Sequence, residues 1–185
     1  GGGGYGGTGG GATDTRPGGP VYGDPDAPVL AGSGGGSWDA RVGNYGGYGG
    51  GLVRVVATEE CVLDGFVDVF SGLAGTGYNS AGSGGGIYLE SRQFGGAASG
   101  LLRADGGERS GLGGGGGGGR IAIVFGARRT EATPPHRMLV SPTPPGTFSG
   151  SASVRGGTGA YEDGEDGTVR FIRVLYPQGT VLLLR

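Results

Sequence analysis

Fifty-two of the 185 residues are glycine, about four times the usual share in a globular protein. The glycines separate short runs of β-branched and other apolar residues, and these runs recur at similar spacing. Glycine destabilises a helix interior, and no run between the glycine tracts is long enough to form a stable helix. The sequence therefore predicts a repetitive β-protein with almost no α-helix.

Triplets of glycine open three of the apolar runs. The triplets end at Gly51, Gly86 and Gly119, and Gly167 opens a fourth run. The runs are four to six residues long and alternate with the period of two that strands require. The repeats are thus predicted to open near residues 51, 86, 119 and 167, at spacings of 35, 33 and 48 residues.

A second short run follows within each of the first three repeats. Gly65, Gly100 and Gly150 head these second runs. The interval before Gly150 is longer than the other two because it contains a proline-rich segment of different composition, residues 128–147. We predict that residues 1–185 form one glycine-rich repeat domain and that residues 128–147 are an insertion that projects as a loop.

Each repeat is too small to bury its own apolar face, so neighbouring repeats must bury one another. The predicted fold class is all-β, with stacked short strands in a β-solenoid-like array and equivalent strands of successive repeats parallel. A β-sandwich of antiparallel hairpins is the alternative. The glycine-rich returns either pack as polyglycine-II-like helices with three residues per turn or form ordered coil. Collagen is excluded, because glycine does not occupy every third position.

The charge balance excludes some classes of partner. Fourteen basic residues, all arginine, face 16 acidic ones, for a net charge of −2, which gives no reason to expect nucleic acid or an anionic membrane surface as a partner. No apolar stretch is long enough to predict a transmembrane segment. The chain does not begin with methionine, so we expect a mature form or a piece of a longer protein.

The lone cysteine, Cys61, cannot form an internal disulfide. It follows two glutamates, an acidic neighbourhood that should raise its thiol pKa. We expect Cys61 to be a small buried apolar residue, and an interchain disulfide is the alternative.

Sites of enzymatic chemistry are lacking. A Walker A motif, which binds nucleotide phosphates, needs a lysine, and the chain has none. The dinucleotide-binding glycine motif needs a helix after it, and no helix is predicted. The only histidine, His136, lies in the proline-rich segment. We therefore predict no catalytic residues, no bound cofactor and no enzyme activity.

Carboxylates cluster between the last two predicted strands. Oxygen ligands of this kind suit Ca²⁺, and the candidate metal ligands are Asp163, Glu165 and Asp166. The surrounding sequence matches neither an EF-hand loop nor a calcium-binding glycine repeat. We therefore favour a solvated acidic turn over a metal site.

Two further groups of residues could contact or carry sugars. Serine and threonine near proline are typical of O-glycosylated stalks, and the candidates are Thr133, Ser141 and Thr143. Tyrosines within the glycine tracts could contact another chain or sugar rings, or could instead cap packed glycine layers. These tyrosines are Tyr5, Tyr45, Tyr48 and Tyr78.

Several segments together resemble a known family. They are Tyr22-Gly23-Asp24-Pro25, then Gly32-Ser33-Gly34-Gly35-Gly36, then Gly-Gly-Gly-Leu-Val-Arg-Val-Val, Gly-Ser-Gly-Gly-Gly-Ile-Tyr-Leu and Gly119-Arg120-Ile121-Ala122-Ile123. Over most of its length the chain resembles glycine-rich β-helical repeat modules of bacterial and unicellular-eukaryote cell-surface proteins. The resemblance implies an extracellular module with a structural or adhesive role and no catalysis. The proline-rich insertion departs from the family's spacing.

The function predicted from these observations is structural. We expect a non-enzymatic subunit or module of an extracellular filament, appendage or surface coat that self-assembles through strand edges. Residues 180–184 form an apolar run with no capping residue after it, so this run is expected to take part. The expected partners are other copies of the chain and glycans, and a cell-surface adhesin or glycan-binding module is the alternative. An enzyme of the pectin-lyase-like kind ranks last, because the chain lacks the required cluster of carboxylates and basic residues.

Overall fold

The computed structural model of the chain describes residues 1–13, 15–37, 45–72, 74, 79–108, 112–126 and 137–175. Within them the chain forms ten strands and no α-helix. The strands are β1 Leu52–Val56, β2 Glu60–Val62, β3 Phe66–Asp68, β4 Gly86–Ser91, β5 Gln93–Gly95, β6 Leu101–Arg103, β7 Arg120–Gly126, β8 Arg137–Ser141, β9 Ser151–Ser153 and β10 Thr168–Leu175. The predicted near absence of helix is confirmed for these residues.

The strands that open the four repeats pair with one another in chain order. Leu52 aligns with Gly86, Gly86 with Arg120, and Arg120 with Thr168, all in parallel pairs. The predicted parallel pairing of equivalent opening strands is therefore confirmed. The aligned residues are 34, 34 and 48 positions apart, so the second repeat opens at Gly85. The predicted opening at residue 86 is one residue late, because Gly86 is already the first residue of β4.

The prediction of a β-solenoid-like array is wrong. The strands divide among three sheets, none of them closed, with the orders β1-β4-β7-β10-β8, β2-β5 and β3-β6-β9. The largest sheet is mixed, because β8 runs antiparallel to β10. The array prediction assumed that every repeat supplies the same strands. The third repeat instead lays Thr147 against β5, where its hydroxyl donates to the Phe94 carbonyl at 2.6 Å.

The proline-rich insertion is not only a projecting loop. Its residues 137–141 form β8, which pairs with β10 from Phe171 opposite Ser141 to Leu175 opposite Arg137. Residues 127–136 lie outside the described part of the chain. The consecutive apolar residues 138–140 have the character of a strand, and β10 offers them an edge that would otherwise be unpaired. The prediction of a loop was based on the prolines and did not take account of the apolar residues 138–140.

The main apolar core lies on the inner face of the five-stranded sheet. Its buried members from that sheet are Ile87, Leu89, Ile121, Ile123 and Phe171, and the shorter sheets and their loops contribute Leu63, Val69, Phe94, Leu102, Ala104 and Phe148. Side chains at alternate strand positions share a face, so residues between these form a second cluster on the other side of the sheet. That second cluster contains Tyr88, Ala122, Val124, Ile172 and Val174. Both faces of β4, β7 and β10 are therefore covered.

Lateral backbone hydrogen bonds order the glycine tracts. The clearest case is the tract at 112–119, where the backbone amides donate to the backbone carbonyls of other segments. The donor and acceptor residues are Gly115 and Glu162, Gly116 and Gly107, Gly117 and Gly3, Gly118 and Glu165, and Gly119 and Ala104. The bonds reach three different segments in turn, and two of the directions recur three residues later: Gly115 and Gly118 both donate to the acidic turn, and Gly116 and Gly119 both donate to residues 104–107. That period is the period of an extended helix with three residues per turn. A strand has only two hydrogen-bonded neighbours, whereas this tract has more.

Close approach of backbones explains why glycine is needed in that tract. A Cβ atom at Gly116 would lie 1.8 Å from the carbonyl oxygen of Gly82, and one at Gly118 would lie 1.9 Å from that of Val154. Real Cβ atoms do not come so near to another atom, and a backbone carbonyl held in hydrogen bonds cannot rotate away. Neither glycine has a positive φ. The requirement here is space, not backbone conformation.

Tyr5 and Arg120 attach the N-terminal glycine tract to β7. Both side chains are buried, and the Arg120 guanidinium lies 5.5 Å from the centre of the Tyr5 ring. Arg120 also donates to the Tyr22 carbonyl through Nε at 3.0 Å and Nη2 at 2.8 Å. Burial lowers the pKa of Arg120 and raises that of Tyr5. Among the described residues, the oxygens that accept from this guanidinium are carbonyls and a hydroxyl, with no carboxylate.

Candidate self-association surface

Within the described residues, one repeat supplies an edge strand without a second neighbour to all three sheets. The strands β1, β2 and β3 all come from the first repeat, and each is the terminal strand of its sheet. We call residues 51–70 the first-repeat edge. Terminal strands present unpaired N–H and C=O groups, which can pair with the strand of another chain.

The first-repeat edge is also apolar. Six large apolar side chains are exposed along it: Leu52, Val55, Val56, Val62, Phe66 and Phe70, and Phe66 is the most exposed at 77%. Isolated apolar residues are common on protein surfaces, but six exposed ones within 19 consecutive positions concentrate apolar side chains on the terminal strands of the three sheets and on the residues that follow them. Apolar surface concentrated in this way is typical of sites of protein contact.

Equivalent side chains in the four opening strands differ in their exposure to solvent, and the side chain at this edge is the exposed one. Val55, Leu89, Ile123 and Phe171 occupy equivalent positions in successive opening strands. Val55 is 41% exposed, whereas the other three are 2%, 0% and 3% exposed. The first repeat thus carries a core-type side chain at a position that a preceding repeat would cover.

The charges on the first-repeat edge are mostly negative. Glu59, Glu60 and Asp64 are exposed, while Asp68 accepts a hydrogen bond from Arg103 Nε at 3.0 Å. The hydrogen bond to Asp68 raises the pKa of Arg103 and ties β3 to β6. Glu59 lies 3.7 Å from Arg92 Nε, and Asp64 accepts from the Ala97 amide at 2.8 Å. The edge keeps an excess of negative charge, which would oppose the approach of two such edges to one another.

Cys61 lies on the same edge, in β2, where it aligns with Phe94 of β5. It is a free thiol, half-buried and packed against the main core. Burial raises the pKa of the thiol. The predicted direction of the pKa shift is confirmed, but its cause is desolvation and not the neighbouring carboxylates.

Cys61 should therefore react slowly with thiol reagents. Because burial raises its pKa, less thiolate is present at pH 7 in the folded chain than in the unfolded chain. We expect a disulfide reagent to modify Cys61 several times more slowly in native protein than in protein unfolded by guanidinium, followed by absorbance at pH 7. Equal rates would contradict the half-buried position.

The candidate metal ligands contact backbone amides. Asp163 accepts from the Gly159 amide at 2.8 Å, and Asp166 accepts from the Gly156 amide at 2.9 Å. Glu165 lies 3.4 Å from the Thr8 amide. Within the described ranges, no three His, Cys, Asp or Glu residues are grouped so that they could hold a metal ion. The carboxylates instead fasten the acidic turn to its glycine neighbours.

The tyrosine candidates separate into two groups. Tyr5 is fully buried, so it offers no surface to another molecule and instead packs 4.9 Å from the Tyr22 ring. Tyr45 and Tyr48 are exposed, at 55% and 74%. Tyr78 lies outside the described residues.

The candidate glycosylation sites also differ. Ser141 is half-buried at the end of β8, and its hydroxyl accepts from the Thr143 amide at 2.9 Å. Thr143 is exposed. Thr133 lies outside the described residues, as do residues 180–184, where the assembling edge was predicted.

Sequence reasoning missed the first-repeat edge itself. The sequence predicts assembly through strand edges at both ends of the array, but it names only residues 180–184 and none of the exposed side chains of the first repeat. A signal was present, because residues 1–50 contain no run that resembles the opening strands. The sequence before the first repeat therefore contains no equivalent of the opening strands that would be expected to pair with β1.

No protein-family model, characterised protein or solved structure matches the chain. In the part of the chain that the structure describes, no helix is long and apolar enough to span a membrane.

Proposed function

We propose that this chain is a non-enzymatic structural module of an extracellular filament or surface coat, and that it self-assembles through strand edges. The observation that carries the proposal is the first-repeat edge, where three terminal strands and six exposed apolar side chains lie together. Unpaired strands with apolar side chains associate readily unless charges or a covering segment prevent it. An extracellular place rests on the family resemblance alone.

The glycine tracts suit a structural role. Their amides and carbonyls bond laterally to several neighbours, so a large share of the cohesion comes from backbone groups. Such an arrangement needs few large side chains, in keeping with an aromatic content of 8%. A module of this kind offers a stiff body that displays the first-repeat edge for association.

The proposal predicts that a charge on the edge weakens association. Val62→Lys places a cation on β2 at a side chain that is 55% exposed, and its solvation opposes burial in a contact. We expect the apparent association constant, measured by sedimentation velocity over a range of concentrations, to fall about 10-fold or more. The matched control is Val29→Lys, because Val29 is 56% exposed but lies in a loop.

Two results would contradict this prediction. Equal loss in the two variants would attribute the effect to net charge instead of to the edge. Unchanged association in Val62→Lys would exclude β2 from the contact.

The exposed pair Tyr45 and Tyr48 favours a second candidate function, a cell-surface adhesin that binds glycans. Aromatic rings can stack on sugar faces, and these two side chains are 55% and 74% exposed. Titration of an oligosaccharide panel against the wild-type chain and Tyr48→Ala tests this function. Binding that Tyr48→Ala abolishes supports it, and absence of binding across the panel removes it.

A further inference from the structure

A cavity with a volume of about 430 Å³ lies where the main core ends on the inner face of the five-stranded sheet. Side chains at alternate strand positions share a face, so Phe125 follows Ile123 along β7 and Arg173 follows Phe171 along β10. Ile123 and Phe171 belong to the main core, whereas Phe125 is half-buried and Arg173 is exposed. Phe125 and Arg173 both line the cavity.

Two arginines flank Phe125 in this cavity. On one side of β7, Arg173 lies directly opposite Phe125 in the pairing with β10. On the other side, Ser91 of β4 lies opposite Phe125, and Arg92 is the next residue. The Arg92 carbonyl accepts from the Gly126 amide at 2.9 Å, so Arg92 is held beside the end of β7. Both arginines line the cavity.

The cavity has a local excess of positive charge. Among the described residues that line it, two are arginine and none is acidic. Glu59 lies 3.7 Å from Arg92 Nε, but its side chain is 76% exposed and is not part of the lining. Exposed ion pairs of this kind contribute little. The lining therefore favours an anion, although the whole chain has a net charge of −2.

The remaining lining is mainly apolar. Phe94 is buried, and its ring centre lies 5.0 Å from that of Phe148. Pro145 adds a further apolar ring to the lining. An aromatic ligand could therefore pack against Phe94, Phe125 and Pro145.

Few neutral polar groups are present to bind hydroxyls. Gln93 and Thr147 supply the neutral polar side chains among the described lining residues. The Thr147 hydroxyl donates its proton to the Phe94 carbonyl at 2.6 Å. A sugar ring would bury several hydroxyls here with few partners, which is unfavourable. The lining thus favours an aromatic ring over a sugar.

Backbone hydrogen bonds hold the cavity wall formed by residues 145–147. The Phe148 amide donates to the Pro145 carbonyl at 2.9 Å, and the Gly96 amide donates to the Thr147 carbonyl at 3.1 Å. These bonds fix the wall as a turn and attach it to the residue after β5. A wall that is already ordered lowers the entropic cost of binding a ligand.

We propose that this cavity binds a small aromatic carboxylate. The carboxylate accepts hydrogen bonds from the guanidinium groups of Arg92 and Arg173, and the ring packs against Phe94, Phe125 and Pro145. Guanidinium and carboxylate groups form strong, charge-assisted hydrogen bonds. This inference goes beyond the proposed self-assembly and does not depend on it.

Titration with 2-naphthoate, followed by NMR spectroscopy of the wild-type chain, tests the proposal. We expect saturable shifts at Phe125, Gly126 and Thr147, and nuclear Overhauser effects between the ligand ring and the Phe125 ring. Naphthalene-2-carboxamide has the same shape without the charge, so its affinity should be about 10-fold lower or less. Glucuronate keeps the carboxylate on a hydroxylated ring, and it should also bind at least about 10-fold more weakly.

The variant Arg173→Gln tests the role of the guanidinium. Because the side chain is exposed, the fold should persist. We expect the affinity for 2-naphthoate to fall about 10-fold, while the affinity for the carboxamide stays the same. Arg155→Gln is the matched control, because Arg155 is exposed, lies outside this cavity and gives the same change in net charge.

Several results would each overturn this inference. They are the absence of saturable shifts at the cavity, equal affinity for the carboxamide, glucuronate binding as tight as that of 2-naphthoate, and unchanged affinity in Arg173→Gln. Equal loss of affinity in Arg173→Gln and Arg155→Gln would also overturn it, because net charge would then explain the binding. None of these results bears on self-assembly, which sedimentation velocity measures independently.

Discussion

Alanine at Gly116 should destabilise the fold by about 3 kcal/mol or more, a large effect for a single methyl group. The added Cβ would lie 1.8 Å from the carbonyl oxygen of Gly82. Both backbones are held by lateral hydrogen bonds, so relief requires that a whole tract moves and that several bonds lengthen. The expected result is a fall in melting temperature of about 6–12 °C for a chain of this size.

Chemical denaturation of Gly116→Ala and Gly146→Ala measures this effect against a control. Gly146 is exposed, lacks a positive φ and has open space for a Cβ, so alanine there should leave stability unchanged or raise it by about 0.4–1 kcal/mol. If both variants were equally stable, the glycine tracts would not be packed as closely as described. A loss in both would point to backbone entropy effects unrelated to close approach.

Replacing Arg120 by alanine should cost about 2–4 kcal/mol, because it removes charge-assisted hydrogen bonds and leaves a carbonyl without its donors. The guanidinium is buried and donates twice to Tyr22 and once to the Thr168 hydroxyl at 3.2 Å. Arg120→Lys keeps the charge but lacks the planar set of donors, so it should fall between the wild type and alanine.

Hydrogen exchange gives the Arg120 prediction a local readout. Loss of the side chain should lower protection in residues 1–22 before it lowers protection in β7, since the Arg120 side chain adds hydrogen bonds to Tyr5 and Tyr22 beyond the backbone bonds that also join the two segments. Arg173→Ala is the control: its side chain is exposed on the neighbouring strand β10, and stability should change by less than about 0.5 kcal/mol. Uniform loss of protection along the whole chain would contradict an anchoring role.

The opening strands were predictable because their signals are local. A glycine triplet followed by alternating β-branched residues identified β1, β4 and β7, and the common spacing gave their parallel pairing. The short strands β2 and β5 were missed because three residues carry little periodicity. These two strands form because β2 and β5 lie side by side in parallel once the repeats have folded. Their pairing depends on tertiary structure and not on the local sequence.

The array as a whole could not be predicted from repeat spacing. Spacing shows which segments are equivalent, but it does not show whether an insertion competes for an edge. Here β8 takes the outer side of β10, and Thr147 takes the outer side of β5. Both come from the insertion region or its border, where composition suggested only a loop.

The first-repeat edge could be predicted only in part from the sequence. Self-assembly through strand edges was expected, but at residues 180–184. Exposure of Val55 and Phe66 depends on the absence of a covering repeat, which becomes visible only when the sheets are assembled.

Sedimentation velocity of the wild-type chain over a wide concentration range tests the central claim most directly. If the chain self-assembles through strand edges, the oligomers should grow continuously in size with concentration, starting from the 18.0 kDa monomer. A single 18.0 kDa species at every concentration would contradict it.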